Sequence, residues 1–83
     1  MIEARFTPAM CRAARAAVQL GQRELADMAR VSRATLVKFE NGAGVPSVNN
    51  LLAIRSVFEG QGFRFSMSGE DDWAIARGKA DAQ

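Results

Sequence analysis

The stretch QRELADMARVSRATLVKFENG, residues 22–42, predicts two short helices joined by a tight turn. We expect the first helix at residues 22–29 and the second at residues 33–40, because the apolar residues of each fall on one side. Ser32 can cap the second helix by accepting hydrogen bonds from its free N–H groups, and Gly42 suits the left-handed position that ends it. Helices of this length are unstable alone in water, so the rest of the chain must pack against them.

The sizes of the residues around the turn fit two helices that cross steeply. Ala26 is small enough for a close approach, Val31 can fill the space behind the turn, and Leu36 can close the contact from the second helix. The opposite side of the second helix then carries two cations, Arg33 and Lys38. An exposed helix with this charge is suited to the major groove of DNA.

The same stretch resembles the helix-turn-helix of the phage-repressor/Cro-type (xenobiotic-response-element type) family of DNA-binding proteins. The family's pattern is carried by Gln22, Leu25-Ala26, Val31-Ser32, Leu36 and Glu40-Asn41-Gly42. The resemblance extends over roughly residues 8–65 and implies a mainly α, four-helix repressor-like DNA-binding domain. The chain departs from the family at Arg30, where glycine is usual, and a non-glycine residue with positive φ is uncommon.

The flanking sequence supplies the remaining elements of one predicted domain, residues 1–83. Thr7 and Pro8 form a helix start signal, with a capping hydroxyl followed by proline at the first helical position. We expect Gly21 to permit the sharp entry into the next helix, and Ser47 to cap a fourth helix. The predicted helices lie at about residues 8–19, 22–29, 33–40 and 48–59, followed by a β-hairpin at about 63–77.

The hairpin is predicted from two runs, FRFSM at 63–67 and WAIAR at 73–77, that alternate apolar and polar residues around a polar turn. An isolated hairpin is marginal in water, so we expect it to pack on the fourth helix and to take part in a homodimer. Strand pairing across the two-fold axis is one arrangement, and a hairpin that covers only its own core is the alternative. The residues expected at this dimer or partner surface are Phe63, Phe65, Trp73 and Ile75. The tail, residues 78–83, is expected to be disordered.

The charge of the chain is unevenly distributed. Residues 1–42 hold seven Lys and Arg against four Asp and Glu, whereas residues 43–83 hold four against five. The net charge is therefore +3 in the half with the predicted helix pair and −1 in the other half. A basic half suits a nucleic-acid partner, although a small domain can carry such an excess for solubility alone.

The composition argues against an enzyme, a metal site and a membrane protein. The chain has one cysteine, Cys11, and no histidine, which excludes an intrachain disulfide, Cys/His catalysis and zinc binding by Cys and His. A single thiol fits a reducing cytoplasm, where we expect the protein to act without a cofactor and Cys11 to pack as a small apolar residue. No apolar run approaches the length of a membrane span, and no signal peptide is recognisable.

The DNA-binding hypothesis assigns roles to residues at the ends of the two helices and on the exposed side of the second. Bases are expected to be contacted by Arg33, Ala34, Thr35 and Lys38, since arginine can bond bidentately to guanine and small apolar groups can contact the thymine methyl. The resemblance implies that Gln22 and Asn41 contact phosphates, and we expect Ser32 and Arg30 to contact phosphates as well. The resemblance also implies an ion pair between Arg15 and Glu40 that locks the first helix to the one at 33–40.

We therefore expect a sequence-specific transcriptional regulator, a repressor rather than an activator. A homodimer would bind an inverted repeat in double-stranded DNA with half-sites about 34–36 Å apart. RNA polymerase is a candidate protein partner. One alternative is a DNA-binding antitoxin that also binds a toxin, for which the apolar hairpin is the candidate surface. Another is a protein-interaction module without DNA binding, which the exposed Val37 leaves open, and which would lack the steep salt dependence of phosphate binding.

Overall fold

Four helices followed by a two-stranded hairpin form the described part of the chain. The computed structural model describes residues 6–69 and 72–78. Its elements are α1 (Pro8–Val18), α2 (Gln22–Ala29), α3 (Arg33–Glu40), α4 (Val48–Glu59), β1 (Phe63–Met67) and β2 (Trp73–Arg77). The predicted mainly α fold with a C-terminal hairpin is confirmed. The two ends of the predicted domain lie outside the described residues, as does nearly all of the tail predicted to be disordered.

Three hydroxyl side chains fix where helices begin. Thr7, Ser32 and Ser47 each precede a helix and accept a hydrogen bond from the backbone N–H three residues later, at 3.0 to 3.1 Å. Each bond satisfies one of the N–H groups that a helix leaves free at its start. The starts of α1, α3 and α4 therefore follow from local sequence.

Two residues other than glycine adopt left-handed backbone where helices end. Gln19 has φ 57° after α1, and Arg30 has φ 59° after α2. The chain therefore turns at Gln19, and α1 ends at Val18, one residue before the predicted end. The prediction that Gly21 permits the turn is wrong, because its φ of −75° and ψ of 160° are open to any residue.

An aromatic cluster joins the N-terminal lead to the helices and the hairpin. The Phe6 ring centroid lies 4.9 Å from that of Phe65 in an edge-on arrangement, and 6.0 Å from that of Phe39. Phe58 of α4 lies 5.7 Å from Phe63, also edge-on. Edge-to-face pairs at such separations are favourable beyond their buried area. The rest of the buried core comes from the helices: Met10, Cys11, Ala14, Leu25, Ala26, Ala29, Leu36 and Ile54.

The hairpin packs one face on this core. Phe63 and Phe65 are only 3% and 8% exposed, so the expectation that they form a dimer or partner surface is wrong. Both rings contact Phe58 within the same chain, which explains why the apolar positions of β1 need no second protein. Trp73 and Ile75, on β2, pack against the same core but stay half-buried.

Candidate nucleic-acid interface

The crossing of α2 and α3 is as tight as the sequence predicts. Ala26 is 2% exposed and Leu36 is fully buried, while Val31 packs partly against the same core. The backbone N–H of Val31 donates to the carbonyl of Ala26 at 3.0 Å, which closes the turn around the left-handed Arg30. The contact fixes the direction in which α3 leaves the body of the domain.

The carboxylate of Glu40, the last residue of α3, receives hydrogen bonds from three side chains. Arg15 binds it bidentately, with Nε donating to Oε2 and Nη2 donating to Oε1, both at 2.8 Å. Gln22 Nε2 donates to Oε1 and Cys11 Sγ donates to Oε2, each at 3.0 Å. We call these four residues the Glu40 cluster. It contains the ion pair that the resemblance implies, and it ties α1 and α2 to the end of α3.

The electrostatics of the cluster favour a charged Glu40. The side chain is 2% exposed, and this burial alone would raise its pKa. Hydrogen bonds from Arg15, Cys11 and Gln22 outweigh the burial, so the pKa of Glu40 lies below its ordinary value. The hydrogen bond between Arg15 and Glu40 also raises the pKa of Arg15. Glu40 is thus an ionised, fully bonded group whose charge is directed inward.

Sequence reasoning missed two residues that donate hydrogen bonds to Glu40. Cys11 is buried as predicted, but its thiol is a donor to Glu40 as well as an apolar group, and burial followed by that hydrogen bond raises its pKa strongly. Arg12 Nη1 donates to the backbone carbonyl of Glu40. The spacing held a signal, since Cys11 lies four residues before Arg15 and therefore on the same side of α1.

The exposed side of α3 is a shallow depression lined by four of its residues. They are Arg33, Ala34, Val37 and Lys38. Three of these were expected to contact bases, and their exposure leaves them free to do so. The sequence predicts an exposed Val37 and no DNA contact for it, but the side chain is half-buried and lies between the two cations with Ala34. The depression therefore has a small apolar floor between basic ends.

Thr35, the fourth residue expected to contact bases, has a different setting. It is half-buried, and its hydroxyl accepts a hydrogen bond from the Ser32 hydroxyl at 2.8 Å. It lines a second groove, between α3 and the loop that leads to α4, together with Lys38 and Val45. The structure thus places Thr35 at the border of the exposed face.

The residues expected to contact phosphates lie at ends of α2 and α3. Gln22 begins α2 and is half-buried, and one of its amide hydrogens is committed to Glu40. Its second amide hydrogen and its carbonyl oxygen are not used in that bond. Ser32, Arg30 and Asn41 are exposed, with Ser32 and Asn41 flanking α3 as its caps. These phosphate contacts stay predictions.

The described residues contain neither a candidate metal site nor a candidate membrane span. No three His, Cys, Asp or Glu side chains within residues 6–69 and 72–78 are grouped so that they could hold a metal ion. In the same ranges, no helix has the length and apolar character needed to cross a bilayer.

The comparison with known families identifies the family to which this chain belongs. The model of the helix-turn-helix family HTH_3, the Cro/C1 type, matches residues 12–60, which is more than half of the chain. The chain belongs to the HTH_3 helix-turn-helix family. No curated protein matches it closely enough to be a relative. The HTH_3 match begins within α1 and ends just after α4, so it includes every residue of the Glu40 cluster except Cys11.

HTH_3 is a family of DNA-binding regulatory domains, not of enzymes. The function of this chain is therefore of the DNA-binding, transcription-regulator type. The family explains why α3 should present a polar, basic side to solvent while its other side is buried in the domain.

Proposed function

We propose that the protein is a sequence-specific transcriptional repressor. It acts in the cytoplasm as a homodimer, and each copy inserts α3 into the major groove of one half of an inverted-repeat operator. The observation that carries the proposal is the exposed side of α3, with Arg33 and Lys38 at the ends of an apolar floor. Groove-facing helices need groups of this kind, because guanine offers two acceptors to arginine and thymine offers a methyl group.

The charge of α3 supports the same conclusion. Its single acid, Glu40, is 2% exposed and bonded to Arg15, so its charge is compensated inside the domain. The exposed side of α3 therefore presents cations without an opposing carboxylate of its own. A surface of one sign attracts the phosphates of DNA before base contacts form.

The Glu40 cluster supports a role in positioning. Gln22 is held at the start of α2 by its bond to Glu40, where its remaining amide hydrogen and the helix dipole both favour a phosphate. A phosphate contact at this point would fix how deeply α3 enters the groove. One carboxylate thereby sets the relative positions of the base-contacting helix and an expected backbone contact.

The size of the domain supports a dimer on an inverted repeat. Its principal extents are 36 × 28 × 24 Å. The longest extent is close to the 34–36 Å that one turn of DNA requires, so two copies with their long axes in line would separate equivalent points by about that distance. The opposing alternative of an antitoxin loses part of its support, since Phe63 and Phe65 are not accessible to a toxin.

The proposal is tested by selecting bound duplexes from a random DNA pool at near-physiological salt. We expect a pseudo-palindrome whose half-sites are about 10 base pairs apart, centre to centre. The matched control is the double variant Arg33→Ala, Lys38→Ala, which changes only exposed side chains and should fold normally. Enrichment by the wild type but not by this variant supports base contact through α3. A folded wild type that enriches no sequence would overturn the proposal.

A further inference from the structure

The hairpin has an edge whose hydrogen-bonding groups are unused within the described chain. Gly78 N–H donates to the Gly62 carbonyl and Ser68 N–H donates to the Asp72 carbonyl, at the two ends of the ladder. Antiparallel ladders alternate every two residues, so the even-numbered residues of β2 are the ones bonded to β1. The N–H and C=O groups of Trp73, Ile75 and Arg77 therefore point away from β1. We call this row the β2 edge.

The β2 edge is open, whereas the corresponding edge of β1 is shielded. The outward backbone groups of β1 belong to Phe63, Phe65 and Met67, and the first two are 3% and 8% exposed as whole residues. On β2 the corresponding residues are half-buried or exposed. The ladder contains no bulge and β2 contains no proline, so two of the usual features that prevent strand pairing are absent. The one charged residue of β2, Arg77, has its guanidinium 5.3 Å from the centre of the Phe63 ring of the same chain.

The sequence of β2 is complementary to itself when read in the opposite direction. In WAIAR, Trp73 and Arg77 lie symmetrically about Ile75 on the face that packs on the core, and Ala74 and Ala76 lie on the outer face. If two copies pair with Ile75 on a two-fold axis, each Trp73 lies opposite the Arg77 of the other copy. Tryptophan opposite arginine is a favourable cross-strand pair, both apolar and cation–π.

The length and charge of β2 favour one register over the others. A symmetric antiparallel pair on the β2 edge can be centred on any residue of β2, with odd-numbered residues facing each other as hydrogen-bonded pairs and even-numbered residues as non-hydrogen-bonded pairs. Centring on Ala74 or Ala76 would pair only three residues of β2 with β2 of the other copy. Centring on Arg77 would place two cations directly opposite each other, which is destabilising. Centring on Trp73 would leave Arg77 beyond the end of the partner strand and push the pairing into the hairpin turn. Only Ile75 as the centre pairs all five residues.

We propose that β2 pairs antiparallel with β2 of a second copy about Ile75, which joins the two hairpins into one four-stranded sheet. This inference rests on the proposed homodimer and names the surface that forms it. Both helical layers lie on the same side of that sheet, because an axis perpendicular to the sheet preserves its faces. A pair of five-residue strands is a small interface, so dimerisation is expected to be concentration-dependent, in the range of about micromolar, and to be strengthened by an inverted-repeat operator.

The test uses disulfide formation between exposed outer-face positions. In the proposed register Ala74 of one copy lies opposite Ala76 of the other, a non-hydrogen-bonded pair with Cα atoms about 4.5 Å apart. The Ala74→Cys and Ala76→Cys variants are made separately and then mixed under mild oxidation. We expect the mixture to form cross-linked heterodimers faster than either variant alone, because like positions are about 7–8 Å apart on the diagonal. Native Cys11 is buried with a raised pKa and should not compete.

The matched control is Ser66→Cys, which lies on the same outer face but on β1. Two such cysteines would be about 14 Å apart across three strand spacings, which is beyond the reach of a disulfide. Amide exchange gives an independent readout. The N–H groups of Trp73, Ile75 and Arg77 should become protected as protein concentration rises, while those of Ala74 and Ala76 should be protected at every concentration.

The outcomes separate this inference from the proposed function. A dimer by sedimentation that shows no preferred cross-link in the Ala74→Cys and Ala76→Cys mixture overturns the β2 pairing and leaves the homodimer standing. A chain that stays monomeric both alone and on a selected operator overturns the homodimer itself. Protection of the odd-numbered β2 amides in a monomer would show that another part of the same chain covers the edge, and would also overturn the inference.

Discussion

Glu40 shows how one buried charge can serve several elements. Its two oxygens accept four hydrogen bonds from three side chains. These bonds offset the cost of removing the carboxylate from water, which a buried ion pair requires. Arg15 is 23% exposed and can still reach solvent, whereas Glu40 cannot. The loss of Arg15 should therefore be costlier than the loss of Glu40. The asymmetry follows from which partner would be left buried without compensation.

We predict that Glu40→Gln makes the stability of the protein less sensitive to acid. The pKa of Glu40 is depressed in the folded state. The ionised carboxylate therefore contributes its full stabilisation of the fold above its unfolded-state pKa of about 4.3, and this contribution is lost as pH falls through the folded-state pKa. Denaturation in urea from pH 6 down to pH 3 measures the effect. The wild type should lose stability more steeply below about pH 4.3 than the variant does.

The control for this prediction is Glu59→Gln. Glu59 pairs with Arg55 at 2.9 Å but is 45% exposed, and exposed pairs contribute little. Its acid profile should follow that of the wild type. Equal slopes for wild type and Glu40→Gln would contradict the role given to the cluster.

We predict that Arg30→Gly stabilises the domain and lowers its affinity for DNA. At φ 59° a non-glycine residue is strained by about 1–2 kcal/mol, and glycine relieves this strain. Glycine also increases the conformational entropy of the unfolded chain, which cancels part of the gain in stability. A net gain of about 0.5–1 kcal/mol, measured by thermal or urea denaturation, is expected. If Arg30 contacts a phosphate, the slope of log affinity against log salt should also fall by about 0.9.

The Gln19→Gly variant is the matched control, because Gln19 has the same left-handed backbone at φ 57° but carries no charge. It should share the gain in stability and leave the salt slope unchanged. An unchanged slope for Arg30→Gly would remove Arg30 from the phosphate-contacting set and keep the backbone argument.

At the scale of elements, α3 has two sides with different tasks. Leu36 and Phe39 are buried in the core, and Arg33 and Lys38 are exposed on the opposite side. The ends of α3 are held by the Ser32 cap and by the Glu40 cluster, so the exposed side chains project from a helix with a fixed orientation. Contacts to bases demand such a fixed frame, since a small rotation would exchange one base edge for another.

We predict that Arg33→Ala and Gln22→Ala weaken DNA binding in different ways. Arg33→Ala should lower affinity for the selected operator by roughly 1–3 kcal/mol and relax the preference at one base position. Gln22→Ala should weaken binding to all sequences alike, because it removes the proposed phosphate contact together with the bond that holds Gln22 to Glu40. Fluorescence anisotropy against the operator and its single-base variants measures both effects. If Arg33→Ala keeps the wild-type preference at every base position, Arg33 does not contact a base.

At the scale of the whole molecule, the aromatic cluster joins parts of the chain that are distant in sequence. Phe6 packs against Phe39 of α3, Phe58 of α4 and Phe65 of β1, which brings the lead, the helices and the hairpin together. Small domains bury a limited fraction of their surface, so a single large ring is a substantial part of their stability. The hairpin is held as part of the domain for this reason.

We predict that Phe6→Ala destabilises the protein by about 3–5 kcal/mol, because the ring is 5% exposed and its removal leaves a cavity between three elements. Urea denaturation measures the change. Val45→Ala is the control, since Val45 is 90% exposed and should alter stability by no more than about 0.5 kcal/mol. A loss below about 1 kcal/mol in Phe6→Ala would show that the cluster repacks without the ring.

The sequence alone determined most of the architecture and the family. The caps at Thr7, Ser32 and Ser47 and the alternation of the two strands act through neighbouring residues, so local sequence was enough to locate the elements. The residues of the turn were enough for the family, because their sizes and polarity are constrained together. The Arg15–Glu40 pair came from that resemblance.

Tertiary structure decided what depends on residues far apart in the chain. It buried Phe63 and Phe65 under Phe58 and Phe6, and it brought Cys11 and Gln22 to the carboxylate of Glu40. An alternating strand pattern gives two faces but does not say what will cover the apolar one. Burial and hydrogen bonding between distant residues are set by the packing of whole elements, and that packing exists only in the folded chain.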